Sequence, residues 1–360
     1  MRALTQVLFA LTTAVFSYQI QAQLRSHHFE LSPESIESTT IGNDKKAATR
    51  MLVFDALAQD LPWSKASFNH AALIFQHTNT EHEPDDGEAY RSQEMHLLTF
   101  FLLKEEARLS NEPPQGLLGP YRYVRVMGLP KELNVEWLED PATQKRFPAS
   151  DNISDQERLK KGFPFALLKS YQTASANPLD PSLRSEKREA ETLQLYTADQ
   201  QTRSLFKKEE MIFNRYIERV SDAQRRARLY EMMAEDVLWD AKTLHRAALV
   251  LNDTPSAVKK NGKPLYQLQE NHLLAFFLAR QAFLKGEIAA APTTVSSLNS
   301  YIKVSHMPEN FGLQIGSKEP LTVCQKERHV SVELWGKYEF PFHLGRSIKP
   351  LCTPTQALQE

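Results

Sequence analysis

One phrase occurs twice in this chain. "QEMHLLTFFL" occupies residues 93–102 and "QENHLLAFFL" occupies residues 269–278, so eight of ten positions are identical at an offset of 176. The match continues upstream at the same offset, where "RMLVFDALAQDLPW" from Arg50 aligns with "RARLYEMMAEDVLW" from Arg226. Because the intervening lengths are also equal, the chain is expected to fold as two similar units.

The repeated unit has the size of a domain and not that of a solenoid repeat. We therefore predict two tandem copies of one duplicated domain, at 28–172 and 204–352. The polar stretch at 173–203 is predicted to be a linker, and 353–360 a C-terminal tail.

Apolar residues in each copy recur mostly at helical spacing, which predicts about three to four helices per copy. The stretch "YRYVRVMG" at 121–128 alternates between polar and apolar residues, as does "VSVELWGKYEFPF" at 330–342. Such alternation is typical of strands. The predicted fold class is α+β, helix-dominated, with a small antiparallel β element in each copy.

The N-terminus has the pattern of a secretory signal peptide. Arg2 precedes an uncharged, mostly apolar run, and Ala22 is a small residue at a cleavage position, so residues 1–22 are expected to be removed. The alternative is an N-terminal helix that is retained. No later stretch approaches about 18 uninterrupted apolar residues, so no stable membrane span is expected after export. The predicted location is periplasmic or secreted.

The net charge argues against a nucleic-acid partner, and the two cysteines indicate a disulfide. Loss of Arg2 with the signal peptide changes the formal net charge from −1 to −2, which is not the basic balance of a nucleic-acid-binding protein. The two cysteines, Cys324 and Cys352, are predicted to form one disulfide in an oxidising compartment. Two buried free thiols are the alternative, and a metal site is less favoured because no close Cys-x-x-Cys pair is present.

The repeated phrase places a Glu and a His two positions apart, on nearly opposite sides of a helix, so they cannot share a metal or a proton. A carboxylate on an apolar helix face is costly unless it is paired. We expect Glu94 and Glu270 to pair with Arg50 or Arg226, each within its own copy, and His96 to be a hydrogen-bonded core residue. A catalytic role for the phrase is the less favoured interpretation.

The copies differ most in the loop after the second helix. Residues 79–90 contain five acids, whereas 255–266 contain three lysines. The candidate loop sites are His77, Glu81, His82, Asp85, Asp86, Lys259, Lys260 and Lys263. Clustered acids and imidazoles suggest a metal site, but their spacing fits no established pattern, so a solvated charged loop is favoured and no metal or cofactor is expected.

No nucleophile elbow, phosphate loop or zinc-protease motif is present in the sequence, and whether the chain is an enzyme stays undecided. The first hypothesis is an exported two-domain protein that binds another protein or an envelope component through its divergent loops. The alternative is a carboxylate- and His-dependent hydrolase with a site in one copy or in the cleft between copies.

Overall fold

The computed structural model of the chain is built mainly from helices. It describes residues 43–59, 63–76, 94–110, 118–127, 129–133, 137–139, 146–148, 153–172, 181–204, 220–235, 239–254, 257–260, 263–267, 269–305, 312–315 and 323–325.

The two repeats contain their first three helices in the same order and at the predicted offset. The helices before the second repeat are α1 (Asn43–Gln59), α2 (Lys65–Gln76), α3 (Met95–Ser110), α4 (Leu118–Val126), α5 (Asp155–Lys160), α6 (Leu167–Gln172) and α7 (Pro181–Ser204), with a 3-10 turn at Lys131–Leu133. Those of the second repeat are α8 (Val220–Ala234), α9 (Ala241–Asn252), α10 (Gln269–Leu284) and α11 (Ala290–Val304). Thus α8, α9 and α10 correspond to α1, α2 and α3.

Local chemistry starts the second helix of each repeat in the same way. The Ser64 hydroxyl accepts a hydrogen bond from the Ser67 amide at 3.1 Å, and the Asp240 carboxylate accepts one from the Thr243 amide at 2.8 Å. Both side chains satisfy an amide that the first turn of a helix leaves unpaired. Ser64 and Asp240 are 176 positions apart, so the repeat extends to its helix caps.

The strands are short and form three separate antiparallel ladders of two strands each. They are β1 (Trp137–Glu139) with β2 (Arg146–Pro148), β3 (Ala257–Lys260) with β4 (Lys263–Gln267), and β5 (Leu313–Ile315) with β6 (Val323–Gln325). No larger sheet is present in the described part of the chain.

The predicted fold class, α+β with an antiparallel β element as part of each copy, is wrong, because the three ladders are isolated two-stranded pairs that form no sheet layer in the described residues. Helices dominate the described residues and supply nearly all of the core. Residues 121–127 of the alternating stretch lie in and just after α4, where Tyr123, Val124 and Met127 are buried at helical spacing. The other alternating stretch, at 330–342, lies outside the described residues.

The first helix of each repeat packs against the third helix of the other repeat. Helix α1 lies along α10, and α8 lies along α3, while α1 and α8 also contact each other. The second and third helices remain together within each repeat, as α2 with α3 and α9 with α10. The arrangement is reciprocal, like the interface of a two-fold symmetric dimer.

The exchange joins the repeats in one hydrophobic core. Buried side chains from α1, α2 and α3 are continuous with those from α8, α9 and α10, and both repeat tryptophans, Trp63 and Trp239, are part of it. Helix α7 occupies most of the predicted linker and packs on α8 and α9. The domain boundaries themselves stay a prediction.

Candidate functional site

Glu94, the carboxylate of the repeated phrase, immediately precedes α3 and is 1% exposed. It accepts hydrogen bonds from Arg226 Nε (2.8 Å) and Nη2 (2.9 Å), from the Tyr230 hydroxyl (2.8 Å) and from Asn271 Nδ2 (2.7 Å). Two parallel, charge-assisted bonds from one guanidinium are stronger than hydrogen bonds between neutral groups. The charge of Glu94 is thus compensated entirely by side chains of the second repeat.

Glu270, the counterpart of Glu94, pairs with Arg50. The Arg50 Nε and Nη2 atoms both lie 2.7 Å from Glu270 Oε1. Both Glu–Arg pairs therefore join the two repeats, whereas the sequence led us to expect each pair within its own copy. The reason is the helix exchange, which carries each arginine onto the third helix of the other repeat.

The two ends of this arrangement are not identical. Tyr230 and Asn271 stand where the first repeat has Phe54 and Met95. Both are buried, and their side chains contact each other. Burial, and then the adjacent Glu94 carboxylate, raises the pKa of Tyr230 well above its ordinary value. Sequence reasoning missed both residues, although polar residues at two otherwise apolar repeat positions were a detectable signal.

A second set of reciprocal ion pairs reinforces the exchange. Lys104 Nζ on α3 lies 2.6 Å from Glu231 Oε1 on α8. Arg280 Nη1 on α10 lies 3.1 Å from Asp55 Oδ1 on α1. Lys104 corresponds to Arg280 and Asp55 to Glu231 at the 176-residue offset. These charged groups serve the packing of one repeat on the other.

The histidines of the repeated phrase are buried as well. In the described part of the chain, neither ring nitrogen of His96 has a hydrogen-bond partner, so the hydrogen-bonded core His expected from the sequence is not what the structure contains. Burial, with smaller contributions from Arg122 and Arg50, lowers the pKa of His96 to about 3. Burial lowers the pKa of His272 to about 4. Both imidazoles are therefore neutral at pH 7 and are enclosed by protein.

The acidic half of the predicted loop site lies outside the described residues. That half consists of His77, Glu81, His82, Asp85 and Asp86. The structure therefore neither brings these five residues together nor separates them.

The basic half of the predicted loop site lies in a two-stranded ribbon, residues 257–267, with Lys259 and Lys260 in β3 and Lys263 in β4. Lys260 and Lys263 are register partners, and the register shifts between Val258 and Lys259. Only Asn261 and Gly262 separate the strands in sequence. Asn-Gly between β-prone segments is the strongest short hairpin signal, and our sequence reasoning overlooked it.

The predicted disulfide is only partly within the described residues. Cys324 is in β6, whereas Cys352 is not described. The bond between them remains a prediction.

The described residues contain neither a cluster of metal-ligating side chains nor a membrane-spanning helix. No group of three or more His, Cys, Asp or Glu side chains is placed there to hold a metal ion. None of the helices that the structure describes combines the length and apolarity needed to cross a membrane.

Comparisons of the chain with protein-family models, with curated proteins and with solved structures find no match. Function must therefore be argued from the residues themselves.

Proposed function

We propose that the protein is an exported binding protein that recognises an anionic partner, either another protein or an envelope component, through the loops in which its repeats differ. The observation that carries the proposal is that the charged residues shared by both repeats are buried between them, whereas the lysine-rich ribbon occurs in one repeat only. Those shared by both repeats, Glu94 and Glu270 with Arg226 and Arg50, are buried in the contact between the repeats. They are therefore used by the fold.

The basic ribbon, by contrast, belongs to one repeat only. It concentrates three lysines in a segment whose counterpart in the first repeat is acidic. Its backbone is an ordered antiparallel ladder, so the lysines are attached to a preformed element. A preformed basic ribbon favours an anionic partner because complementary charge accelerates and orients encounter.

The alternative, a carboxylate- and His-dependent hydrolase, would require such groups to face a substrate. Glu94 and His96 are the carboxylate and imidazole that the repeated phrase offers, and both are enclosed by protein. Their burial favours the binding protein as the first proposal.

Charge reversal of the ribbon tests this function. The triple variant Lys259→Glu, Lys260→Glu and Lys263→Glu is expected to lose most of its binding to an isolated envelope fraction, and raising the salt concentration should weaken wild-type binding because exposed charges are screened. Cosedimentation of purified protein with the fraction measures the loss. Protease treatment of the fraction distinguishes a protein partner from a non-protein component.

A matched control makes the same change of net charge at three lysines outside the ribbon. Lys131, Lys187 and Lys303 are exposed and distant in sequence from the ribbon, and their reversal to Glu is expected to leave binding unchanged. Equal losses in both triple variants, or no loss in the ribbon variant, would contradict the proposal. The melting temperature of each variant shows whether it remains folded.

A further inference from the structure

Helix α7 packs on α8 and α9 and is joined to them by charged side chains. The ion pairs include Glu191 with Arg228 (2.6 Å between Oε1 and Nε), Arg188 with Glu235, and Glu189 with Arg246 (3.6 Å between Oε1 and Nη1). We call the part of α8 and α9 that α7 covers the second-repeat surface, and the corresponding part of α1 and α2 the first-repeat surface.

The first-repeat surface lacks the charges that hold α7 in the second repeat. At the 176-residue offset, Arg228, Glu235 and Arg246 are replaced by Leu52, Gln59 and His70. No described helix packs on α1 and α2 in the way that α7 packs on α8 and α9. A helix with the ion-pairing residues of α7 would bury them there without partners, so the first-repeat surface requires a different occupant.

Burial shows where the first-repeat surface is accessible to an occupant. The half-buried positions of α1 between 49 and 59 are Leu52, Asp55 and Gln59, whereas the others are buried. Asp55 is ion-paired with Arg280 of α10. On α2, Leu73 is 36% exposed. The occupant should therefore be mainly apolar and uncharged where it contacts these positions.

The same offset indicates which segment this occupant is. Helix α7, at 181–204, corresponds to residues 5–28, which lie outside the described residues. The α7 residues Glu191, Arg188 and Glu189 are replaced by Val15, Thr12 and Thr13. In all three ion pairs, both members have thus lost the acidic or basic residue together. Joint loss is what contact between two surfaces requires, because a charge kept on one side alone would be buried without a partner.

The one charge that the segment retains fits the same arrangement. Arg25 is the single Asp, Glu, Lys or Arg in residues 5–28, and its counterpart on α7 is Gln201, which is exposed. In an equivalent position Arg25 would face solvent, where a charge needs no partner.

We propose that in the uncleaved chain residues 5–28 dock on the first-repeat surface in the place that α7 has on α8 and α9, with apolar contacts instead of ion pairs. Removal of residues 1–22 on export would take most of this segment away and open the first-repeat surface. The proposal does not rest on the anionic partner, which concerns the ribbon of the other repeat.

Copying an ion pair from the second repeat into the first tests the contact. The full chain is made by cell-free synthesis, and its intact mass shows that residues 1–22 are retained. Val15→Glu and Leu52→Arg introduce the residues found at 191 and 228. Either change alone places an unpaired charge in the contact and should raise the equilibrium constant of unfolding about tenfold in urea titrations. The double variant should return to within about threefold of the wild type, because the two charges pair.

Ser17→Glu is the matched control. Residue 17 corresponds to Leu193, which is 43% exposed on α7, so a charge there should not reach the contact. Ser17→Glu should have little effect alone and should not rescue Leu52→Arg. Thr12→Arg with Gln59→Glu copies the pair of Arg188 with Glu235, and it provides an independent comparison if Leu52→Arg does not fold.

The proposal is overturned if the single changes leave unfolding unaltered, if neither double variant shows rescue, or if Ser17→Glu rescues Leu52→Arg as well as Val15→Glu does. A destabilisation by Leu52→Arg that depends on protein concentration and is not rescued by Val15→Glu would assign the first-repeat surface to a second copy of the chain. That result would also overturn the proposal.

Discussion

At the residue scale, the Glu94 carboxylate accepts four hydrogen bonds from three side chains. Glu94→Gln keeps the shape but removes the negative charge that accepts two hydrogen bonds from the buried Arg226 guanidinium. Removing one partner of a buried ion pair costs about 3–5 kcal/mol, so the free energy of unfolding should fall by about that amount in urea titrations. The exposed Glu157→Gln should change it by no more than about 0.5 kcal/mol. A similarly small change in Glu94→Gln would show that its bonds contribute little.

At the element scale, the exchange of α1 and α8 assigns each ion pair to two particular helices. Lys104 on α3 contacts Glu231 on α8, and not the corresponding Asp55 of its own repeat. A double-mutant cycle with alanine at Lys104 and Glu231 should give a coupling energy of roughly 0.5–3 kcal/mol. The control cycle of Lys104 with Asp55 should be additive to within about 0.5 kcal/mol. The opposite ranking would mean that the helices pair within each repeat in solution.

At the scale of the whole molecule, the shared core predicts that the two repeats unfold together. Trp63 and Trp239 occupy corresponding buried positions, one in each repeat. Two variants that each retain one of them as the only tryptophan, with phenylalanine at the other tryptophan positions, should unfold in urea in one transition each. Their midpoints should coincide with each other and with the loss of helical circular dichroism. Separate midpoints for the two probes would indicate repeats that fold independently.

The sequence predicted most helices of the first copy correctly but predicted a strand where the structure has α4. The helical spacing of apolar residues in the first copy predicted helices, and α1 to α3 are helical. In α4, the alternation of "YRYVRV" is compatible with either period over so few residues. Packing against α3 decides for the helix. Gly119 comes so close to α3 that an added Cβ would lie 2.5 Å from the His96 carbonyl oxygen.

The candidate sites were predictable to an unequal degree. A carboxylate buried on an apolar helix face needs a cationic partner, so the pairing of Glu94 and Glu270 with arginines could be predicted from residue types alone. The convergence of Asp199 and Asp253 on Arg203 was not predictable, because α7 and α9 are separated in sequence by α8 and meet only in the folded chain.

The sequence by itself determined that there are two equivalent sets of helices, which residues face the core, and that each buried glutamate needs a guanidinium. These properties are local or periodic, and they are encoded within a few helical turns. Only the tertiary structure decided which third helix the first helix of each repeat packs against. The repeats are so alike that Arg50 is complementary to both Glu94 and Glu270, and no residue pattern distinguishes the two choices. The packing of α1 on α10 and of α8 on α3 distinguishes them, because it brings Glu94 within reach of Arg226, Tyr230 and Asn271 together.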